Sequence, residues 1–297
     1  MFDELAFEKP KAPECRYDRY VPSYEARNTY GRPATRVYRD EATPSAGAQP
    51  NERKDPHIMD LTSNIAERVR TLDWARMEHD LDELGYAVTP RVLGADECDE
   101  LAGLFDQDER FRSTIDMRRY RFGSGVYRYF DYPLPGVVRE LREGFYPPLA
   151  RVANRWASML NTGVSFPDSL DEFLTLCHEK GQTRPTPLIL HYETGDHNAL
   201  HQDVYGAIGF PFQVLTVLSR REEDYTGGEF LLLTQRPRAQ SVGEAITLDQ
   251  GQMLVFPNQL RPMEGKRGYY RVNVRHGVSR LRSGERYSLG IIFHDAE

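Results

Sequence analysis

Cysteine is scarce in this chain of 297 residues: Cys15, Cys98 and Cys177 are widely spaced and form no CxxC pair. That pattern argues against a disulfide framework and against a thiolate zinc site, and makes a reducing cytoplasm the expected compartment. No apolar run approaches the roughly 18 residues that a membrane span needs, so no membrane association is expected. The N-terminal MFDELAFEKP lacks the basic and apolar regions of a secretory signal. P-loop, dinucleotide and HExxH zinc motifs are missing too, since Gly123-Ser124-Gly125 has neither a third glycine nor a strand before it. Positive charge is not in excess. A formal charge of −7 gives the chain as a whole no electrostatic reason to meet nucleic acid.

What is present is ordinary globular material, 39% hydrophobic and 28% charged, long enough for a substantial core. Residues 1–57 read as an N-terminal arm and linker: 40–57 has linker composition, while 16–39 interleaves tyrosines with arginines and suits an arm that docks on apolar surface or stacks on bases. From Ile58 apolar residues recur at helical steps through Leu84, stopped by Gly85. A strand at Tyr86–Pro90, a helix opened by Gly94-Ala95-Asp96, and helices over 137–161 and 168–179 follow, with Pro147-Pro148 expected to break the third helix. This helical lead-in, 58–184, gives way to short strand-like runs over 185–297: Leu188–Tyr192, Gln213–Ser219, Glu229–Thr234, Ala245–Leu248, Met253–Phe256, Tyr270–His276 and Tyr287–Phe293. Glycine-bearing turns separate them. The expected fold is α+β, a double-stranded β-helix (a jelly-roll or cupin-like barrel) with N-terminal helices packed around it, so that 58–297 forms one domain.

The sequence HQD places His201 and Asp203 two apart, on one face of a strand. His276, closing the run YYRVNVRH, is the best third ligand. Two histidines and one carboxylate on one face leave opposite positions open, the facial arrangement used for iron(II), oxygen and an organic co-substrate. Ten residues on, Arg286 can grip a carboxylate with two prongs, and Ser288 adds a hydroxyl on the same face. An exposed hairpin charge is the plainer account of Arg286 taken alone. His197 and His201 are not a helical zinc pair, because Gly195 and Asp196 break any helix there. His191 is expected to be buried and hydrogen-bonded, and Cys177-His178 to sit on a helix without a partner.

The segments HYETGDHNALHQD, TGGEFLLL, GQMLVFPN and VRHGVSRLRSGERYSLGIIF together resemble the barrel of the Fe(II)/2-oxoglutarate-dependent oxygenases, in the style of prolyl-4-hydroxylase-like bacterial members. The resemblance covers roughly 185–297, with a familiar helix–strand–helix lead-in over about 76–106. It implies a dioxygenase that uses Fe(2+), 2-oxoglutarate and O2, with ascorbate in a supporting role, to hydroxylate a C–H bond and release succinate and CO2. His201, Asp203 and His276 are then the metal and catalytic residues. Arg286 and Ser288 hold the co-substrate, and Tyr192 stands where a tyrosine often faces it. Asp203 disfavours halogenation, since halogenases of this superfamily replace that carboxylate.

Outside the barrel, 110–130 (RFRSTIDMRRYRFGSGVYRYF) mixes six arginines with aromatic residues around glycines. It reads either as a lid that brings substrate contacts or as an edge hairpin with solvated arginines. The lid reading nominates Arg118, Arg119, Arg121 and Tyr127 as substrate residues and, from its local positive charge, an anionic substrate. The expected partner is a small molecule or a protein side chain. One alternative is an AlkB-type oxidative demethylase of alkylated nucleic acid, favoured by the arginine–aromatic segments. It is opposed by net acidity and by Phe293, where that family usually has a second arginine. A second alternative is a non-catalytic cupin-like binding protein.

Overall fold

The computed structural model describes residues 59–203 and 206–297. The expectations for the arm, the linker, Cys15 and Ile58 lie outside those residues.

The lead-in pattern resolves into two helices, α1 (Ile65–Arg70) and α2 (Trp74–Glu83), instead of one. The break is at Asp73, whose carboxylate accepts the amide of Arg76 at 3.0 Å and starts a new helix. Gly85 ends α2 at a φ of +87°, as its position suggested. Strand β1 (Ala87–Arg91) and helix α3 (Ala95–Gly103) follow. Next come β2 (Phe111–Asp116), the single turn α4 (Met117–Tyr120), β3 (Gly123–Ser124) and β4 (Val126–Phe130). The long helix α5 (Gly136–Met159) runs unbroken through Pro147 and Pro148, contrary to the sequence expectation. Its apolar face, including Leu141, Phe145, Leu149, Val152 and Trp156, is buried, and that burial outweighs the hydrogen bonds the two prolines remove. Helix α6 (Leu170–Glu179) completes the helical layer.

The remaining strands are β5 (Leu188–Glu193), β6 (His197–His201), β7 (Phe212–Val217), β8 (Tyr225–Gly227), β9 (Phe230–Gln235), β10 (Ser241–Ile246), β11 (Gln252–Pro257), β12 (Leu260–Gly265), β13 (Gly268–Val278) and β14 (Leu281–Ile292). They form two antiparallel sheets. The larger runs β1-β11-β7-β14-β5-β4-β2, with β8 paired to β14, and the smaller runs β10-β9-β13-β6-β3, with β12 paired to β13. This is the α+β double-stranded β-helix. The hairpin β2–β4 extends the larger sheet, so this part of 110–130 is sheet edge instead of a detached loop. β10 begins several residues before the expected strand, because its first five residues are exposed and show no alternation of buried and exposed positions.

The larger sheet is covered on both faces, which explains its nearly continuous apolar strands. Phe212 and Val214, Met253 and Val255, Leu289 and Ile291 pack with the helices in one core. The intervening Leu215, Val217, Leu254, Phe256 and Tyr192 join Phe230, Leu232 and Val274 of the smaller sheet in a second core between the sheets. The period of two therefore decides which residues face the barrel interior. Among the described residues, no helix is long and apolar enough to cross a membrane.

Candidate metal centre

β6 and β13 are neighbours in register, with the Cα of His201 opposite that of His276. Asp203, just past the end of β6, closes the group. Nε2 of His201 lies 3.4 Å from one carboxylate oxygen of Asp203, and Nε2 of His276 lies 3.2 Å from the other. One donor atom from each of the three lies within 4.8 Å of the others, a spacing that could hold one metal ion. The Nδ1–H of His201 donates to the carbonyl of Ala199 at 2.8 Å, which fixes the ring so that Nε2 faces the cluster. His276 is buried against the rings of Phe230 and Phe256.

Electrostatics inside the cluster follow from one carboxylate shared by two imidazoles. Burial alone would raise Asp203, but its hydrogen bonds to His201 and His276 hold it well below the usual carboxylate range. Burial lowers both histidines. At His276 it prevails, whereas at His201 it is outweighed by the hydrogen bond to Asp203, the Asp203 charge and the bond to the Ala199 carbonyl taken together, and the net shift is upward. A neutral His276 and an ionised Asp203 are the forms that metal coordination requires.

Sequence reasoning missed Gln213. This residue on β7 is buried, and its side-chain amide donates to Oδ2 of Asp203 at 2.6 Å. The available signal was a lone amide in the apolar run FQVLTV. Gln202, between the two nominated residues, donates to the carbonyl of Val274 at 2.8 Å and ties the end of β6 to β13.

A cavity of about 390 Å³ opens from the cluster into the barrel, lined by Leu190, Tyr192, Leu215 and Ser288 among others. Arg286 is 1% exposed, and one of its terminal nitrogens donates to the hydroxyl of Ser288 at 3.1 Å. Its guanidinium also lies near the rings of Tyr192 and Tyr225, with centroids at 5.7 and 5.9 Å. Among the described residues no carboxylate pairs with Arg286, and its Nε has no hydrogen-bond partner. Leaving a guanidinium dry and unpaired is expensive, so an anion from outside fits this place. Burial pushes the phenol of Tyr192 up to about 12. Asn198 donates to its oxygen at 3.4 Å, so the hydroxyl proton is left for another acceptor.

The nominated substrate residues divide. Tyr127 lines the cavity, and burial, ahead of the Tyr129 and Asp203 charges, raises its phenol. Arg118 pairs with Asp196 at 2.8 Å, Arg119 stands 3.9 Å from Asp116, and Arg121 is an exposed helix cap at a φ of 61°. Two other arginines of the segment point inward: Arg112 donates to the carbonyl of Pro185, and Arg128 bonds Asp108 and the carbonyl of Phe105. His191 stacks on Tyr287 and meets Glu285 at 3.3 Å. His178, expected without a partner, meets Asp295 at 2.9 Å.

Comparison with known proteins agrees with this geometry. The family described as "Oxygenase, catalysing oxidative methylation of damaged DNA" matches residues 125–296. An uncharacterized protein of Mycobacterium tuberculosis is 53% identical over 167 residues, which is 56% of this chain and 72% of that protein; its counterpart in a second strain matches equally. Solved structures with similarity include a prolyl-4-hydroxylase of Pseudomonas putida (18% identity, TM-score 0.44, 74% of this chain and 97% of that one). Another is a 2OG-Fe(II) oxygenase-family oxidoreductase of Burkholderia pseudomallei (17% identity, TM-score 0.43, 75% and 91%). With the family model matched over more than half of the chain, the chain belongs to this oxygenase family, and His201, Asp203 and His276 could hold a metal ion for it.

Proposed function

We propose that this enzyme hydroxylates a C–H bond of an anionic substrate, with succinate and CO2 as co-products. One observation carries the reading: a two-histidine, one-carboxylate donor set lines a cavity together with Ser288, and the hydroxyl of Ser288 accepts from the buried guanidinium of Arg286, which pairs with no carboxylate among the described residues. His201, Asp203 and His276 would hold the iron and leave positions open for small ligands. Bound iron supplies the oxygen activation that makes an inert C–H bond reactive. The chain supplies position and dryness. Arg286 receives the far carboxylate of 2-oxoglutarate, Ser288 adds its hydroxyl, and Tyr192 offers a proton that burial keeps in place. Gln213 fixes the orientation of Asp203, while Leu190, Leu215 and Phe230 keep water from the reacting end.

The reading is tested by succinate release over candidate substrates, after anaerobic titration with Fe(II) and 2-oxoglutarate. His201→Ala, Asp203→Ala and His276→Ala should each abolish turnover in a folded protein. Full iron-dependent activity in all three would overturn the assignment of the donors.

The family description names damaged DNA, and that favours a second reading, which we infer to be oxidative removal of a methyl group from nucleic acid. The chemistry is continuous with the first, because a hydroxylated N-methyl carbon is lost as formaldehyde. Phe293 gives this reading no help: it is buried in the helix-side core against Tyr146 and Phe210, away from the cavity. Formaldehyde released in step with succinate from an N-methylated oligonucleotide would support it, and succinate release that ignores the oligonucleotide would oppose it.

A further inference from the structure

The turn between β2 and β3 holds a feature that the packing of the fold does not use. Tyr120 and Phe122 stack on each other, with ring centroids 5.7 Å apart and planes 18° apart. They are nonetheless 55% and 45% exposed, so two large rings forgo much of the stabilisation that burial brings. Phe122 also lines the metal cavity, which sets the stack at its edge.

Backbone bonds fix the stack relative to the cluster. The carbonyl of Phe122 accepts the amide of Ala199 at 2.7 Å, and the carbonyl of Ala199 in turn accepts Nδ1–H of His201. Gly123 permits this approach. It pairs with Asn198 at a φ of +128°, and a Cβ there would stand 2.3 Å from the carbonyl of His197. Arg118 anchors the turn by its bond to the buried Asp196. Arg119 and Arg121 remain exposed on either side of Tyr120, and among the described residues the one ion pair of Arg119 is the 3.9 Å contact to Asp116.

We propose that the Tyr120–Phe122 stack is a docking platform for an unpaired base of a nucleic-acid strand, with Arg119 and Arg121 receiving the flanking phosphates. The proposal rests on the nucleic-acid reading above and names the residues that would receive the strand. The sequence RRYRF alternates cationic heads with ring faces, as a strand alternates phosphates with planar bases. An apolar protein partner would not call for the arginines, and a small anion would not call for the rings. A duplex keeps its base faces stacked inside, so the platform selects a single strand or a base already extruded.

The test is fluorescence anisotropy of a labelled oligothymidylate of about 12 nucleotides with the full chain, repeated with the same strand in a duplex. Tyr120→Ala and Phe122→Ala should each weaken single-strand binding by about 5- to 150-fold, the range for one lost base stack. Tyr120→Phe, which keeps the ring, should bind like the parent. The double variant Arg119→Gln/Arg121→Gln should flatten the salt dependence by about 1.4 in the log–log slope, the value for two single-strand phosphate contacts. Melting curves establish that each variant is folded. If the parent binds the strand and Tyr120→Ala/Phe122→Ala binds it equally, the platform is wrong while the nucleic-acid reading stands. If the parent binds no strand at all, both fall.

Discussion

Two arginines of this molecule are equally buried, and they are held in opposite ways. Arg142 and Arg286 are each 1% exposed. Arg142, on α5, donates to the carbonyls of Ile292 and Phe293, and one of its terminal nitrogens bonds the Asp295 carboxylate at 2.8 Å. Asp295, itself fully buried, also meets His178 and the hydroxyl of Tyr132. Arg286 has one serine hydroxyl and two tyrosine rings. The first arginine meets a carboxylate and two carbonyls within the fold, whereas the second meets no carboxylate among the described residues and, under the assignment proposed above, awaits an anion from outside. On that assignment, the comparison separates a residue that keeps the structure from one that the structure keeps for a ligand.

The largest effect should come from breaking the complete site. Arg142→Ala should cost about 3–5 kcal/mol of unfolding free energy by leaving Asp295 buried without its partner, measured by urea denaturation. A loss below that range would mean that His178 and Tyr132 suffice for Asp295. Arg286→Ala should leave the melting temperature without 2-oxoglutarate unchanged or higher. It should weaken 2-oxoglutarate binding by about 2–5 kcal/mol, with Arg286→Lys between the two. Isothermal titration at matched iron decides this, and an unchanged affinity would move the carboxylate site elsewhere.

A pH scan sharpens the comparison through a neighbour of Arg142. Burial, reinforced by the Arg142 charge, depresses the His294 imidazole to about 4, and its Nδ1 accepts the amide of Phe210. The folded imidazole thus stays neutral while the unfolded one takes a proton near 6.5. Stability should be full above that value and fall by about 3 kcal/mol as pH drops from roughly 6.5 to 4. His294→Gln should flatten that part of the stability–pH curve, and an unaltered curve would assign the slope to other groups. The smallest effect belongs to Gln213→Leu, which leaves Asp203 ionised but unoriented. Metal affinity should fall about 10- to 100-fold, as for other residues that orient a ligand. Co(II) titration followed by absorption reads this without turnover, and unchanged affinity would make the amide a packing residue only.

How far the sequence reveals these sites depends on the distance over which each is built. The shared face of Arg286 and Ser288 is a period-two property of one strand, and His201 and Asp203 are two apart in sequence, although the strand expected to carry both ends at His201 and leaves Asp203 just beyond it. The Arg142–Asp295 pair spans 153 positions, and nothing in either neighbourhood announces it. The same holds for His178, whose partner lies 117 positions away. Pro147 and Pro148 read locally as a break, yet the buried face of α5 overrules them. Gln213 lies between these extremes, since its polarity within an apolar strand was legible but its partner was not.

If Arg286 receives the co-substrate as proposed, it also ties the persistence of this protein to its supply of co-substrate. Any ligand that binds only the folded chain raises folding free energy with concentration, by about 2.7 kcal/mol at a hundredfold excess over its dissociation constant. Under the assignment proposed for Arg286, protease resistance and cellular lifetime would therefore rise and fall with the 2-oxoglutarate level, even when no substrate is being turned over.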